Sequence, residues 1–137
     1  MKKIFIDANI LIDVFTQRED FYINSAKVLS AINKGKFKGF VSALTYPNIY
    51  YILRKVLGKE KAIETLEKTK TICDTVPLDI KCIELAIVSA FSNFEDAIQY
   101  YSAVSSNCVC IVTRNPKHFK KGEISAFNPD EFLSIYT

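Results

Sequence analysis

The N-terminal stretch KKIFIDANILID, residues 2–13, places two aspartates and an asparagine inside an otherwise apolar run. KIFI is typical of a short buried strand, and the apolar residues after it recur at helical spacing. A buried charge without a partner or a metal is expensive, so both aspartates need a reason to be there. Asp7 directly follows the strand. Asp13 lies about a turn and a half further along the helix, where we expect a structural ion pair or hydrogen bond.

The composition fits one globular domain over residues 1–137. Hydrophobic residues make up 49% and charged residues 24% of the chain, which argues against disorder. The net charge of +3 is compatible with a nucleic-acid partner without requiring one. Four cysteines without a CxxC pair and a single histidine, His118, argue against a zinc site. The sequence shows neither a membrane-spanning run nor a signal peptide, so we expect a cytoplasmic protein with no membrane partner.

Apolar patterning predicts strands that alternate with helices along the whole chain. The strands are predicted at 2–7, 37–42, 74–78, 108–113 and 125–127. The helices are predicted at 9–17, 21–36, 45–57, 59–72, 80–91, 94–106 and from residue 129, with Asp79, Asn93 and Asn128 as N-caps of the last three. This order predicts a three-layer α/β/α domain with a central parallel sheet of four to five strands.

Polar residues follow three of these strands. Asp7 follows KIFI, Ser42 follows GFV, and Thr113-Arg114-Asn115 follows CVCIV. Ligands bind outside the carboxyl ends of parallel strands, and Asp96 begins a helix that could face Asp7 across such a cleft. Two carboxylates without histidine or cysteine companions suit Mg²⁺ or Mn²⁺. Such a site can activate water for attack on a phosphodiester.

Each of these residues also has a structural interpretation. Asp7 could be the N-cap of the helix that follows it. Asp96 could complement the dipole of its own helix. Asn115 before Pro116 is a common turn pair. The nearby basic residues could form a solvated loop; they are Arg114, Lys117, His118, Lys120 and Lys121.

Four motifs in order carry a family resemblance: FIDANILID, SALTYPNIYYILRK, FEDAIQYYSA and CIVTRNPKHFK. They resemble the PIN-domain family, especially its VapC-like branch, the toxins of type II toxin–antitoxin pairs. The resemblance implies a Mg²⁺- or Mn²⁺-dependent endoribonuclease with Asp7 and Asp96 as metal-binding carboxylates. Asn48 falls where many relatives have glutamate and Asn115 where many have aspartate, which gives a catalytic set of Asp7, Asp96, Asn48 and Asn115. His118 falls near another position that is often acidic, and Thr113 would support the site.

The resemblance also implies an RNA substrate, a small antitoxin and a homodimer. Arg114 and Lys117 would hold the RNA backbone, so binding should weaken as salt rises. Two other functions stay open. The amides at Asn48 and Asn115 leave room for a PIN fold that has lost its chemistry and binds RNA or protein. A phosphohydrolase with Asp7 as nucleophile would favour a second aspartate where this chain has Asn9.

Overall fold

The computed structural model describes residues 1–137 and contains one sheet of five parallel strands. The strands are β1 (Lys3–Ile6), β2 (Lys38–Ser42), β3 (Asp74–Val76), β4 (Cys110–Val112) and β5 (Ser125–Phe127). Their order in the sheet is β3-β2-β1-β4-β5, so β1 and β4 are neighbours at its centre. The predicted parallel sheet, with five strands, is therefore confirmed.

Seven α-helices surround the sheet: α1 (Ala8–Phe15), α2 (Tyr22–Asn33), α3 (Thr45–Leu57), α4 (Lys59–Ile72), α5 (Ile80–Ile87), α6 (Phe94–Ser105) and α7 (Pro129–Tyr136). A 3₁₀ turn covers Pro116–Phe119. The three predicted N-caps are confirmed, because the side chains of Asp79, Asn93 and Asn128 each accept a backbone N–H three residues later. No helix is both long and apolar enough to cross a membrane.

Several elements end earlier than the sequence predicts, and local chemistry explains two of them, α5 and β3. Helix α5 stops at Ile87 instead of residue 91. The Ser89 hydroxyl donates to the Ala86 carbonyl and accepts from the Phe91 N–H, and such local bonds compete with the helix. Strand β3 stops at Val76, because Pro77 has no N–H with which to continue the ladder.

The side chains of the central strands alternate between the two faces of the sheet. Ile4 and Ile6 of β1 pack in the larger core, which includes residues of α1, α2, α3, α4 and α7. Phe5 faces the opposite side and packs with α6 residues such as Ala103. This arrangement confirms the three-layer prediction. Because β1 and β4 run parallel side by side, Asp7 leaves the sheet next to the end of β4, where its N–H donates to the Val112 carbonyl at 3.0 Å.

Candidate active site

Asp7 is a buried carboxylate that accepts hydrogen bonds from three uncharged side chains. The Thr113 hydroxyl donates to Oδ2 at 2.7 Å, and the Asn9 amide donates to the same oxygen at 3.3 Å. The Gln99 amide Nε2 donates to Oδ1 at 3.3 Å. The residue as a whole is only 8% exposed. These three neutral donors orient the carboxylate and leave its negative charge without an ion-pair partner.

The donors come from three different elements that meet at the carboxyl edge of the sheet. Asn9 lies in the first turn of α1, Thr113 follows β4, and Gln99 lies on the buried side of α6. The side-chain Oδ1 of Asn9 accepts the backbone N–H of Arg114 at 3.2 Å, and the Thr113 hydroxyl accepts the backbone N–H of Asn115 at 3.1 Å. These bonds fix the loop after β4 against the start of α1.

Burial dominates the electrostatics of Asp7. Removal from water raises the pKa of its carboxyl, and hydrogen bonds led by the Thr113 hydroxyl offset part of that rise. Asp7 occupies the N-cap position of α1, as the alternative interpretation predicts, but its side chain makes no capping hydrogen bond to that helix. The carboxylate is instead held by side chains from three elements, an arrangement that needs tertiary structure to form.

Asp96 is a second carboxylate at the same site. Its side chain is 19% exposed, and Oδ2 lies 3.2 Å from Nδ1 of His118. Its pKa is raised first by burial and next by the negative charge of Asp7. Asp96 lies one turn before Gln99 on α6, and Gln99 donates to Asp7, so both carboxylates belong to one site. A cation between them would relieve their repulsion.

The other predicted site residues make no side-chain hydrogen bond to Asp7 or Asp96. Asn48 is half-buried in α3. Asn115 and Lys117 are exposed. The Arg114 guanidinium lies 3.5 Å from the Asp13 carboxylate and 5.0 Å from the centre of the Phe21 ring.

The ion pair predicted for Asp13 is confirmed, with Arg18 as its second partner at 3.9 Å. Asp13 itself is fully buried. An arginine held in this way has less freedom to reach a phosphate. The roles predicted for Asn48, Asn115, Arg114 and Lys117 stay predictions.

Sequence reasoning missed two residues of the cluster as functional candidates, Asn9 and Gln99. Gln99 lies three positions after Asp96, which places both on one face of a helix. Asn9 lies two positions after Asp7 and bridges Asp7 to the loop after β4. The signal that could have pointed to Gln99 is its spacing, because a glutamine three residues after a candidate ligand lies on the same side of the helix as that ligand.

The donor set fits a hard divalent cation. No group of three or more His, Cys, Asp or Glu side chains that could hold a metal is present. The two carboxylates that Gln99 connects are those of Asp7 and Asp96. Gln99 adds an amide oxygen, Oε1, which is buried and has no hydrogen-bond partner. Mg²⁺ keeps several waters and takes one or two carboxylates, so this oxygen-only set suits it better than Zn²⁺.

Known proteins with similar sequences or folds match nearly the whole chain. A family model described as PIN domain matches residues 3–117. The chain is 27% identical over 136 residues to Ribonuclease VapC1 of Aquifex aeolicus (strain VF5), which covers 96% of this chain and 93% of that protein. DNA-bound VapBC from Salmonella typhimurium superimposes with a TM-score of 0.70 at 15% identity, covering 94% of this chain and 99% of that chain.

A further solved structure has the same fold. Mycobacterium tuberculosis VapC20, described as a Sarcin-Ricin loop cleaving toxin, gives a TM-score of 0.67 at 11% identity, covering 98% of this chain and 96% of that chain. The relatives named here are VapC proteins or contain one, which confirms the resemblance seen in the four motifs. The chain belongs to the PIN-domain family.

Proposed function

We propose that this protein is a Mg²⁺- or Mn²⁺-dependent endoribonuclease and the toxin of a toxin–antitoxin pair, with residues 1–137 acting as one domain. The observation that carries the proposal is the Asp7–Asp96 pair at the carboxyl edge of the sheet. Asp7 is buried among neutral donors, and its charge raises the pKa of Asp96. A pair of carboxylates arranged in this way is poised to hold a cation. The name of the Aquifex relative supplies the substrate class, RNA.

Asp7 and Asp96 would hold the cation. When bound, a divalent cation makes water a better nucleophile and offsets the charge that develops on a phosphodiester. Thr113 and Asn9 would keep Oδ2 of Asp7 in one orientation through their hydrogen bonds. Preorganised groups of this kind do not have to reorient when the substrate reacts.

The remaining predicted residues would act on RNA. Asn115 and Lys117 lie on the exposed loop after β4, where they could contact the backbone of a bound strand. Asn48 would contribute a neutral oxygen at the side of the cleft. Arg114 would act mainly by holding this loop in place, because its guanidinium is engaged by Asp13.

An antitoxin partner, a homodimer and a cytoplasmic location complete the proposal. Support for the antitoxin comes from the likeness to VapBC of Salmonella typhimurium. A basic segment of such a partner would complement the negative charge of Asp7 and Asp96.

The test is cleavage of a mixed RNA pool by purified protein with Mn²⁺, alongside Asp7→Asn and Asp96→Asn. We expect each substitution to reduce cleavage at least about a hundredfold, the scale on which electrostatic stabilisation of a transition state is lost. Asp74→Asn is the matched control, because Asp74 is an exposed carboxylate at the start of β3 that pairs with Lys38. Cleavage that survives Asp7→Asn would contradict the proposal.

A second candidate function is a binding module without catalysis. It is favoured by the absence of a third carboxylate, since amides occupy positions 48 and 115. This function would be indicated if the wild-type protein showed neither RNA cleavage nor Mn²⁺ binding by calorimetry, yet still bound RNA.

A further inference from the structure

Gln99 is the least expected member of the cluster around Asp7. Its side chain is 5% exposed on α6, where glutamine would ordinarily lie in solvent. It lies one turn after Asp96 and donates from Nε2 to Oδ1 of Asp7 at 3.3 Å. Gln99 thus connects the two carboxylates, through the helix to one and through a hydrogen bond to the other.

The other end of the Gln99 amide has no partner in the protein. Oε1 is buried and accepts no hydrogen bond. The amide cannot simply be reversed, because its oxygen would then face a carboxylate oxygen of Asp7 and no donor would lie between them. Buried polar atoms are almost always paired, and one that is not calls for a specific explanation such as a bound ion or water.

The small number of carboxylates at the site explains why Oε1 of Gln99 has no partner in the protein. Amides at positions 48 and 115 leave two carboxylates for the cation, so its remaining ligands would be neutral oxygens of water or of amide side chains. An amide oxygen is a good ligand for Mg²⁺ or Mn²⁺ and adds no further repulsion between Asp7 and Asp96.

We infer that Gln99 is a positioning residue of the metal site, an inference that rests on the function proposed above. Its NH₂ group fixes Oδ1 of Asp7, and its Oε1 would accept a hydrogen bond from a water bound to the cation. Groups that support metal ligands in this way typically change metal affinity tenfold or more when they are removed.

The first test is Gln99→Leu, which removes both polar ends of the side chain at similar volume. We expect Mn²⁺ binding measured by calorimetry to weaken about tenfold. In the presence of a chelator the melting temperature should fall, because Oδ1 of Asp7 loses its donor, and the loss of the unpartnered Gln99 oxygen offsets only part of that effect. Ser102→Ala is the matched control: Ser102 is also buried on α6, but its hydroxyl lies by Sγ of Cys82 and not by Asp7. The control should bind Mn²⁺ as the wild type does.

The second test is Gln99→Glu, which places a third carboxylate beside Asp7. Without metal, the added repulsion should lower the melting temperature. With saturating Mn²⁺ the melting temperature should recover, so the metal-induced rise should exceed that of the wild type. A side chain that only packs against its neighbours would give the same loss with and without Mn²⁺.

The outcomes separate this inference from the function on which it rests. If the wild type binds Mn²⁺ and Gln99→Leu binds it equally well, the role of Gln99 is overturned and the metal site stands. If Gln99→Glu loses the same stability with and without Mn²⁺, the role is also overturned. If the wild type binds no Mn²⁺, both proposals fall together.

Discussion

Asp7 and Asp13 are two buried carboxylates six residues apart, and the protein accommodates them in opposite ways. Asp7 accepts hydrogen bonds from three neutral side chains. Neither carboxylate oxygen of Asp13 has a hydrogen bond of good geometry, but two guanidinium groups lie nearby, Arg114 at 3.5 Å and Arg18 at 3.9 Å. Neutral donors orient a charge without cancelling it, whereas arginines cancel it.

This difference explains why one aspartate suits a metal site and the other does not. Burial raises the pKa of both carboxyl groups. At Asp13 the two arginines oppose the rise through their charge, and at Asp7 the Thr113 hydroxyl leads the opposition through a hydrogen bond. A carboxylate that is already paired with arginines attracts a further cation only weakly. We therefore expect substitutions around Asp13 to act mainly on stability, and substitutions around Asp7 to act also on the pH dependence of cleavage.

The largest effect on stability is expected from Arg114→Gln. It leaves the Asp13 charge fully buried with only the more distant Arg18 as a partner. Breaking a buried ion pair from one side costs about 3 kcal/mol or more, and Arg114 is itself only 22% exposed, so we expect a loss of roughly 3 kcal/mol in the free energy of unfolding. Urea denaturation at neutral pH measures this loss.

A double variant and a pH series sharpen that prediction. Adding Asp13→Asn removes the orphaned charge and should restore most of the lost stability. Without Arg114 the pKa of Asp13 rises further, so the native state binds the proton more tightly than the unfolded chain. The penalty should therefore be absent below the ordinary carboxyl pKa of about 4 and grow as pH rises through the folded value. A double variant no more stable than Arg114→Gln would refute this assignment of Asp13.

A smaller effect is expected from Thr113→Val at the Asp7 side of the comparison. Valine keeps the shape but removes the hydroxyl that donates to Asp7 at 2.7 Å. A hydrogen bond to a charged group contributes about 2 kcal/mol, and we expect a stability loss of that order. The pKa of Asp7 should rise further. Since cleavage needs the ionised carboxylate, the acid limb of its pH profile should move to higher pH.

Thr45→Val provides the matched control for that substitution. Thr45 is as fully buried as Thr113, but its hydroxyl has no hydrogen-bond partner. Removing an unpaired hydroxyl should leave stability unchanged or raise it, and should not move the pH profile. Equal losses at both positions would show that the Thr113 hydroxyl acts by packing rather than through Asp7.

The sequence predicts the frame of the site because that frame depends on local pattern. The continuous apolar runs in KIFI and CVCIV predict buried strands, and parallel strands bring Asp7 and Thr113 to one edge of the sheet. The caps at Asp79, Asn93 and Asn128 are equally local, since each side chain bonds a backbone group three residues away. The apolar strand patterns and the N-cap residues can therefore be recognised without any knowledge of tertiary contacts.

The chemistry around each aspartate was harder to predict because it depends on contacts distant in sequence. Asp13 meets Arg114 only once β4 has been placed beside β1. The inward direction of Gln99 depends on how α6 is rotated against the sheet, which the moderate amphipathicity of FEDAIQYY does not determine. The early end of α5 depends on the Ser89 hydroxyl competing for backbone groups. Each of these features depends on three-dimensional contacts that the residue types allow but that cannot be predicted from them alone.

The smallest effect is expected from His118→Gln. This substitution tests whether Asp96 depends on a basic partner, as Asp13 does, or functions without one, as Asp7 does. His118 contacts Asp96 at 3.2 Å and lowers its pKa by charge and by a hydrogen bond, so its removal should move the acid limb of cleavage to higher pH. The imidazole is 55% exposed, and exposed pairs contribute less than about 1 kcal/mol, so the shift should stay below about one pH unit.

Lys117→Gln is the control in the same turn. It should weaken RNA binding in a salt-dependent way without moving the acid limb of cleavage. If His118→Gln instead abolished cleavage, Asp96 would need its basic partner as Asp13 needs Arg114, and the charge offered to a cation would come from Asp7 alone.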